Sequence, residues 1–156
     1  MRSDEAIAVG DLTMRSYLTV YDDVGDYEAV LRRVSHRARS ADVLVADLHG
    51  EIVGTVTYVR GPGPYAEGDP PDPEASWIRM LGVAPEAMGR GIGLALAEEC
   101  IDRARADDRR RILLNTGDAQ VAARRLYERL AFERRPDLDE LIDEDLWMRT
   151  YSLELR

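Results

Sequence analysis

Lysine is absent from this chain of 156 residues, so all 21 basic side chains are arginine. Cysteine is almost absent too. The one thiol, Cys100, excludes an internal disulfide and fits a reducing compartment; a lone cysteine most simply reads as a small buried apolar residue. No apolar run approaches the ~18 residues of a membrane-crossing helix, which predicts a soluble protein. The opening MRSDEAIAVGDL carries carboxylates where a secretory signal would carry an apolar stretch, so the expected location is the cytoplasm. Excess positive charge is lacking as well. Against 21 arginines stand 30 carboxylates, a net charge of −9, and a nucleic-acid-binding surface needs the opposite balance. The ten arginines between residues 102 and 135 are an exception that reads as solvated helix faces.

What is present suits one globular domain spanning 1–156. At this length roughly 70% of the unfolded surface can be buried in one core. Residues 4–18 have a weak helical pattern interrupted by Gly10, and 26–39 a stronger one with Tyr27, Val30, Leu31 and Val34 on one face. VLVADLHGEIVGTVTYV then reads as two strands joined in a tight hairpin at His49-Gly50. His49 at that tip and His36 on a polar helix face are expected to be exposed and structural. Residues 60–75 hold five prolines and three glycines and form a loop, of a length that is often functional. WIRMLGV reads as a strand and APEAMGRG as a turn. IGLALAEECIDRARAD follows as a helix with Ile92, Leu96 and Cys100 in its stripe, then RILLN as a short strand. AQVAARRLYERLAF is a helix with Ala123, Leu126, Tyr127 and Leu130 on one face. A polar tail from Arg134 leads to a last strand, LWMRTYSLEL. This order predicts a mixed α/β arrangement, a sheet flanked by helices.

The informative segment is VAPEAMGRGIGLAL, residues 83–96, which runs from a strand straight into a helix. Gly89, Gly91 and Gly93 allow a tight turn and close backbone approach. Their amides, with those of Ile92 to Leu94 at the helix start, would converge on an anion such as a pyrophosphate. A Walker loop is excluded, because no Gly-Lys-Ser/Thr follows, and the G-x-G-x-G spacing differs from a dinucleotide fingerprint.

Residues 83–94, and within them Met88 to Gly93, resemble the Arg/Gln-x-x-Gly-x-Gly/Ala acetyl-CoA pyrophosphate motif of the GNAT superfamily of acyl-CoA-dependent N-acyltransferases. QVAARRLYERLAF, residues 120–132, resembles that superfamily's second motif, a helix reading Asn-x-x-Ala-x-x-x-Tyr-x-x-x-Gly-Phe, in the family's order and separation. The resemblance runs from Val43 to the final strand. Met88 stands where Arg or Gln is usual, which removes a side-chain contact but spares the backbone donors. Gln120 and Ala131 stand for Asn and Gly. The strand that usually precedes the first helix is not evident.

The resemblance implies a mostly antiparallel sheet of about six strands, splayed at the acetyl-CoA site, with about four helices. It further implies acetyl-CoA as co-substrate, no metal, and a primary amine of a small molecule or peptide as acceptor, attacked directly in a ternary complex. Homodimerisation is common in such proteins. The cofactor-binding positions it implies are Met80, Leu81, Gly82, Val83, Met88, Gly89, Arg90, Gly91, Ile92, Gly93, Leu94, Asn115 and Tyr127. Leu81 would offer its N–H to the acetyl oxygen, Asn115 would bond the pantetheine, and Tyr127 would be catalytic, donating a proton to the CoA thiolate. For the general base, Glu67, Asp69 and Glu74 of the proline-rich loop are candidates, and Trp77 and Tyr65 could wall the acceptor pocket. The same motifs serve a non-catalytic acyl-CoA sensor, other acyl chains or hydroxyl acceptors.

Overall fold

The structure, a computed structural model, describes every residue but Asp69, the one base candidate that therefore lies outside the described residues. A single 3₁₀ turn leads into α1 (Ala6–Tyr17), followed by α2 (Tyr27–Arg32) and α3 (Val34–Arg37). The hairpin β1 (Asp42–Leu48) and β2 (Glu51–Val59) comes next, then β3 (Ala75–Val83), α4 (Ile92–Ala106), β4 (Arg111–Gly117) and α5 (Val121–Arg129). The chain closes with β5 (Glu133–Arg134), β6 (Glu140–Asp143) and β7 (Leu146–Glu154). The sheet runs β1-β2-β3-β4-β7-β5, with β6 also paired to β7, and only the β3–β4 pair is parallel.

Seven strands and five helices exceed the six and four expected. One helix comes from a break, and two short strands in the tail add to the five read along the sequence. The helix read over 26–39 breaks at Arg33, whose ψ of 49° leaves the helical region. Carbonyls freed at the end of α2 are taken by Arg37, which is 1% exposed and donates to Val30 O at 3.0 Å, Leu31 O at 3.4 Å and the Thr57 hydroxyl at 3.0 Å. A buried guanidinium is tolerable only when it is hydrogen-bonded in this way. In the polar tail, short β5 and β6 form because β7 has a second edge whose backbone groups need partners.

The glycines mark close approaches and turns. Gly10 does not interrupt α1; it lies buried in the helix where α1 crosses the α2–α3 junction. On β2, a Cβ at Gly54 would stand 2.7 Å from Ile92 Cγ2 and 3.0 Å from Leu96 Cδ1, so only glycine lets α4 seat on the sheet there. The hairpin tip has both His49 (φ 55°) and Gly50 (φ 87°) left-handed, the conformation of a two-residue type I′ turn. The main core, with Val56, Ile78, Leu96, Cys100, Ile112, Leu114 and Tyr127, lies where α4 and α5 cover the sheet, while Met14, Leu31, Trp77 and Met80 pack in a second cluster with α1 and α2.

Ala131 ends α5 in the left-handed region at φ 66°, with Phe132 N–H bonded back to Tyr127 O at 3.0 Å. This is a helix stop that glycine serves without strain. Ala131→Gly is expected to raise stability by about 0.5–1 kcal/mol, read as a higher urea midpoint at unchanged slope.

Candidate active site

The site begins where two strands part. β3 and β4 pair in parallel over Ala75–Ile78 and Arg111–Leu114, and beyond that β4 continues to Gly117 paired only with β7. β3 stays with β2 through a register shift opposite Val56, where Met80 is left-handed at φ 53°. Such a conformation in a non-glycine residue is strained and re-aims the strand. Ala84 N–H then points to β2, bonding Val53 O at 2.8 Å, and Val83 N–H points away from it, to the Ser16 hydroxyl at 3.2 Å. Because N–H directions alternate along a strand, Leu81 turns its N–H to the same open edge as Val83. Of the four amides expected along this edge, that of Val83 is thus already bonded to α1.

At the end of β3, Pro85–Ala87 make a 3₁₀ turn and Gly91 caps α4 in the left-handed region at φ 80°. No side chain caps the helix, and a Cβ at Gly89 or Gly91 would meet nothing within 4 Å. The amides of Ile92, Gly93 and Leu94 therefore face open space at the positive end of a helix of 15 residues. Such a group of amides at a helix start is suited to an anion such as a pyrophosphate. A Cβ at Gly93 would stand 3.5 Å from Leu126 Cδ2 of α5 and 3.7 Å from Val83 Cγ2 of β3, so the first turn of α4 lies close to both elements. Met88 (51% exposed) and Arg90 project outward from the turn.

Tyr127 is 5% exposed and packs edge to face on Phe132, ring centroids 5.7 Å apart. Burial, with a smaller contribution from Cys100, pushes its phenol well above the ordinary range, so it remains protonated. Its hydroxyl lies near enough to Tyr17 on α1 to add to the upward shift that burial imposes on Tyr17. Asn115 is committed on both sides: its Nδ2 donates to Glu67 at 2.7 Å and its Oδ1 accepts from the Thr150 hydroxyl at 2.8 Å. Gln120, in place of the usual Asn, accepts from Gly117 N–H at 2.9 Å and the Thr116 hydroxyl at 3.0 Å.

On the other side of the gap lies a cavity of about 570 Å³ whose walls include Tyr17, Tyr21, Tyr27, Trp77, Met80 and Asn115. Glu67 enters it and forms an ion pair with Arg79 at 2.6 Å. A smaller neighbouring cavity, about 310 Å³, shares Glu67 and Trp77 with it. Glu74 lies elsewhere, exposed and paired with Arg110 at 3.3 Å. Tyr65 does not line the cavity but backs it: its carbonyl accepts from Arg79 at 3.0 Å and its hydroxyl contacts exposed His36 at 2.9 Å. The segment YDDVGDY, 21–27, contributes walls that the sequence reading passed over; its two tyrosines and three aspartates between two helices were the available signal.

The acetyltransferase (GNAT) family model matches residues 7–132. The chain belongs to this family. Mycothiol acetyltransferase of Cellulomonas flavigena is 33% identical over 94 residues, covering 60% of this chain but only 27% of that protein, so the chain spans about a quarter of that relative's length. A GNAT-family structure from Desulfovibrio desulfuricans superposes with a TM-score of 0.78 at 20% identity, covering 99% of this chain and 95% of that one. The yncA structure of Salmonella typhimurium, solved with its cofactor acetyl-CoA, gives a TM-score of 0.70 at 20% identity over 100% and 91% of the two chains. The splayed mixed sheet is thus the GNAT fold. In this GNAT chain Cys100 is fully buried and its thiol is pushed up to about 12, chiefly by burial, which leaves no thiolate for a covalent acyl carrier.

Both Tyr127 and Cys100 hold their protons more tightly folded than unfolded. Their contribution to stability is therefore complete below about pH 8.5, the unfolded thiol's value, and is lost as pH rises above it. The urea midpoint is expected to fall steadily above about pH 9, and iodoacetamide at about pH 8 should label Cys100 only after unfolding.

Proposed function

We propose that this GNAT protein is an acetyl-CoA-dependent N-acetyltransferase of one domain, 1–156, acting in the cytoplasm by direct transfer to an amine in a ternary complex. The observation that carries the reading is the open edge of β3 leading into an uncapped α4 N-terminus, beside a buried, protonated tyrosine. In acetyl-CoA the pyrophosphate would rest on the amides of Gly89 to Leu94, and the molecule supplies an activated acyl thioester. Absence of lysine means the enzyme has no lysine of its own to acetylate.

Each chemical need has a residue. Leu81 N–H, on the open edge, would donate to the acyl oxygen as negative charge develops there. Tyr127 would give its proton to the departing sulfur, and its raised pKa keeps that proton available throughout the neutral range. A substrate ammonium, with a pKa near ~10.4, must first lose a proton; Glu67 would receive it, directly or through water, and its ion pair with Arg79 holds the carboxylate in place. Among the described residues the walls carry Asp23, Asp26 and Glu67 against one cation, Arg79, a net charge of −2 from three carboxylates and one guanidinium, which favours a cationic acceptor.

Calorimetry with acetyl-CoA is expected to show saturable binding that Gly91→Trp abolishes, with the variant's circular dichroism unchanged; binding by the variant would move the cofactor elsewhere. Tyr127→Phe should retain that binding and lose kcat by about 10²-fold. Glu67→Gln should lower kcat/KM by about 10- to 100-fold, with the greatest loss at low pH, where the amine is most fully protonated.

A further inference from the structure

The acceptor cavity has an aromatic corner. The rings of Tyr17 and Tyr21 lie 6.4 Å apart and those of Tyr17 and Tyr27 6.2 Å, tilted by 31° and 51°. All three line the same cavity. On the connector between α1 and α2, Asp23 and Asp26 line it as well, and neither has an ion pair among the described residues. The cavity's one cation cannot serve them. Arg79 is engaged by Glu67 at 2.6 Å, the Tyr65 carbonyl at 3.0 Å and the Tyr27 hydroxyl at 3.4 Å.

Tyrosine faces and carboxylates attract the same kind of ligand group, an ammonium or guanidinium. The amine that is to react cannot be that group. It must be neutral and must reach the β3 edge at Met80–Leu81, whereas the aspartates belong to the connector. Ile142 and Leu146 of the β6–β7 hairpin give the same cavity an apolar wall suited to methylenes.

Resting on the N-acetyltransferase reading, we propose that the acceptor is a linear amine with a second cationic group, held by the Tyr17–Tyr21–Tyr27 corner and by Asp23 and Asp26 while the first amine is acetylated. The nitrogen that reacts loses one proton and gains the acetyl group as the carbon–sulfur bond breaks, and the second cation stays charged throughout. An acceptor with a carboxylate in that position meets repulsion instead. The connector, independent of the cofactor cradle, thereby sets specificity.

The test compares kcat/KM of the purified protein, at saturating acetyl-CoA, for 1,5-diaminopentane, 1-aminopentane and 5-aminopentanoate. The diamine is expected to exceed the monoamine by about 10- to 100-fold, with the amino acid lowest, and the advantage should shrink with salt. In Asp23→Asn/Asp26→Asn the ratio of diamine to monoamine should fall toward one, mainly through the KM of the diamine. Equal kcat/KM for monoamine and diamine in the wild-type protein, or a ratio unmoved in the double variant, overturns the proposal and leaves the N-acetyltransferase reading standing. Transfer to none of the amines by protein that binds acetyl-CoA overturns that reading and the proposal with it.

Discussion

Everything in the site depends on the early end of one parallel pairing. β3 and β4 share four register pairs, Ala75–Arg111 to Ile78–Leu114, and then separate. Two forces hold them apart. β4 remains bound to β7 through Gly117, and β3 remains bound to β2 through Val83, so neither can follow the other. The left-handed Met80 sits at the point of divergence, with its side chain 5% exposed in the cluster that also contains Met14 and Trp77. Strain of about 1–2 kcal/mol at such a residue persists because packing on one side and pairing on the other over-determine it. An open strand edge inside a fold would ordinarily leave unsatisfied amides. Here that of Val83 is met by the Ser16 hydroxyl of α1.

The elements around this gap were unevenly legible from residues alone. Local signals spoke clearly where a short segment decides its own structure: the His49-Gly50 turn, the glycine entry to α4, and the apolar face of α5 carrying Tyr127 all stand where their patterns placed them. Long-range consequences did not. Nothing in 26–39 announces that Arg37 would turn inward to collect the carbonyls of Val30 and Leu31, because that requires knowing that Thr57 of β2 lies beneath it. β5 and β6 are too short for periodicity and exist through β7. Likewise Glu67 and Glu74 are indistinguishable in a proline-rich loop; only the fold puts one against Asn115 and Arg79 and the other on the surface.

The charge balance takes on a different meaning once the partners are known. Of the ten arginines between 102 and 135, Arg103, Arg105, Arg110, Arg111, Arg124, Arg134 and Arg135 are matched to carboxylates. Such exposed pairs contribute little stability each, but they withdraw those arginines from the role of polyanion ligands. Backbone amides at the start of α4, where no side chain caps the helix, are available to an anion without any of these paired arginines. This explains why Met88, in place of a basic or polar side chain, does not remove the essential donors from the cradle.

Tyr17 joins the two halves of the site. It is the last residue of α1, its ring adjoins Tyr21 and Tyr27 in the acceptor cavity, and its phenol is close enough to feel Tyr127 on the other side of the gap. α1 also supplies Ser16, which bonds the β3 edge. That helix end therefore bonds the strand edge through Ser16 and lines the cavity through Tyr17, while the residues after it form more of the cavity wall. Substitutions in 18–26 can alter that wall without disturbing Met80, Gly91 or Tyr127, since none of these belongs to the connector. The cavity wall in 18–26 and the strand edge at Met80–Val83 thus lie on separate segments of the chain, both anchored to α1.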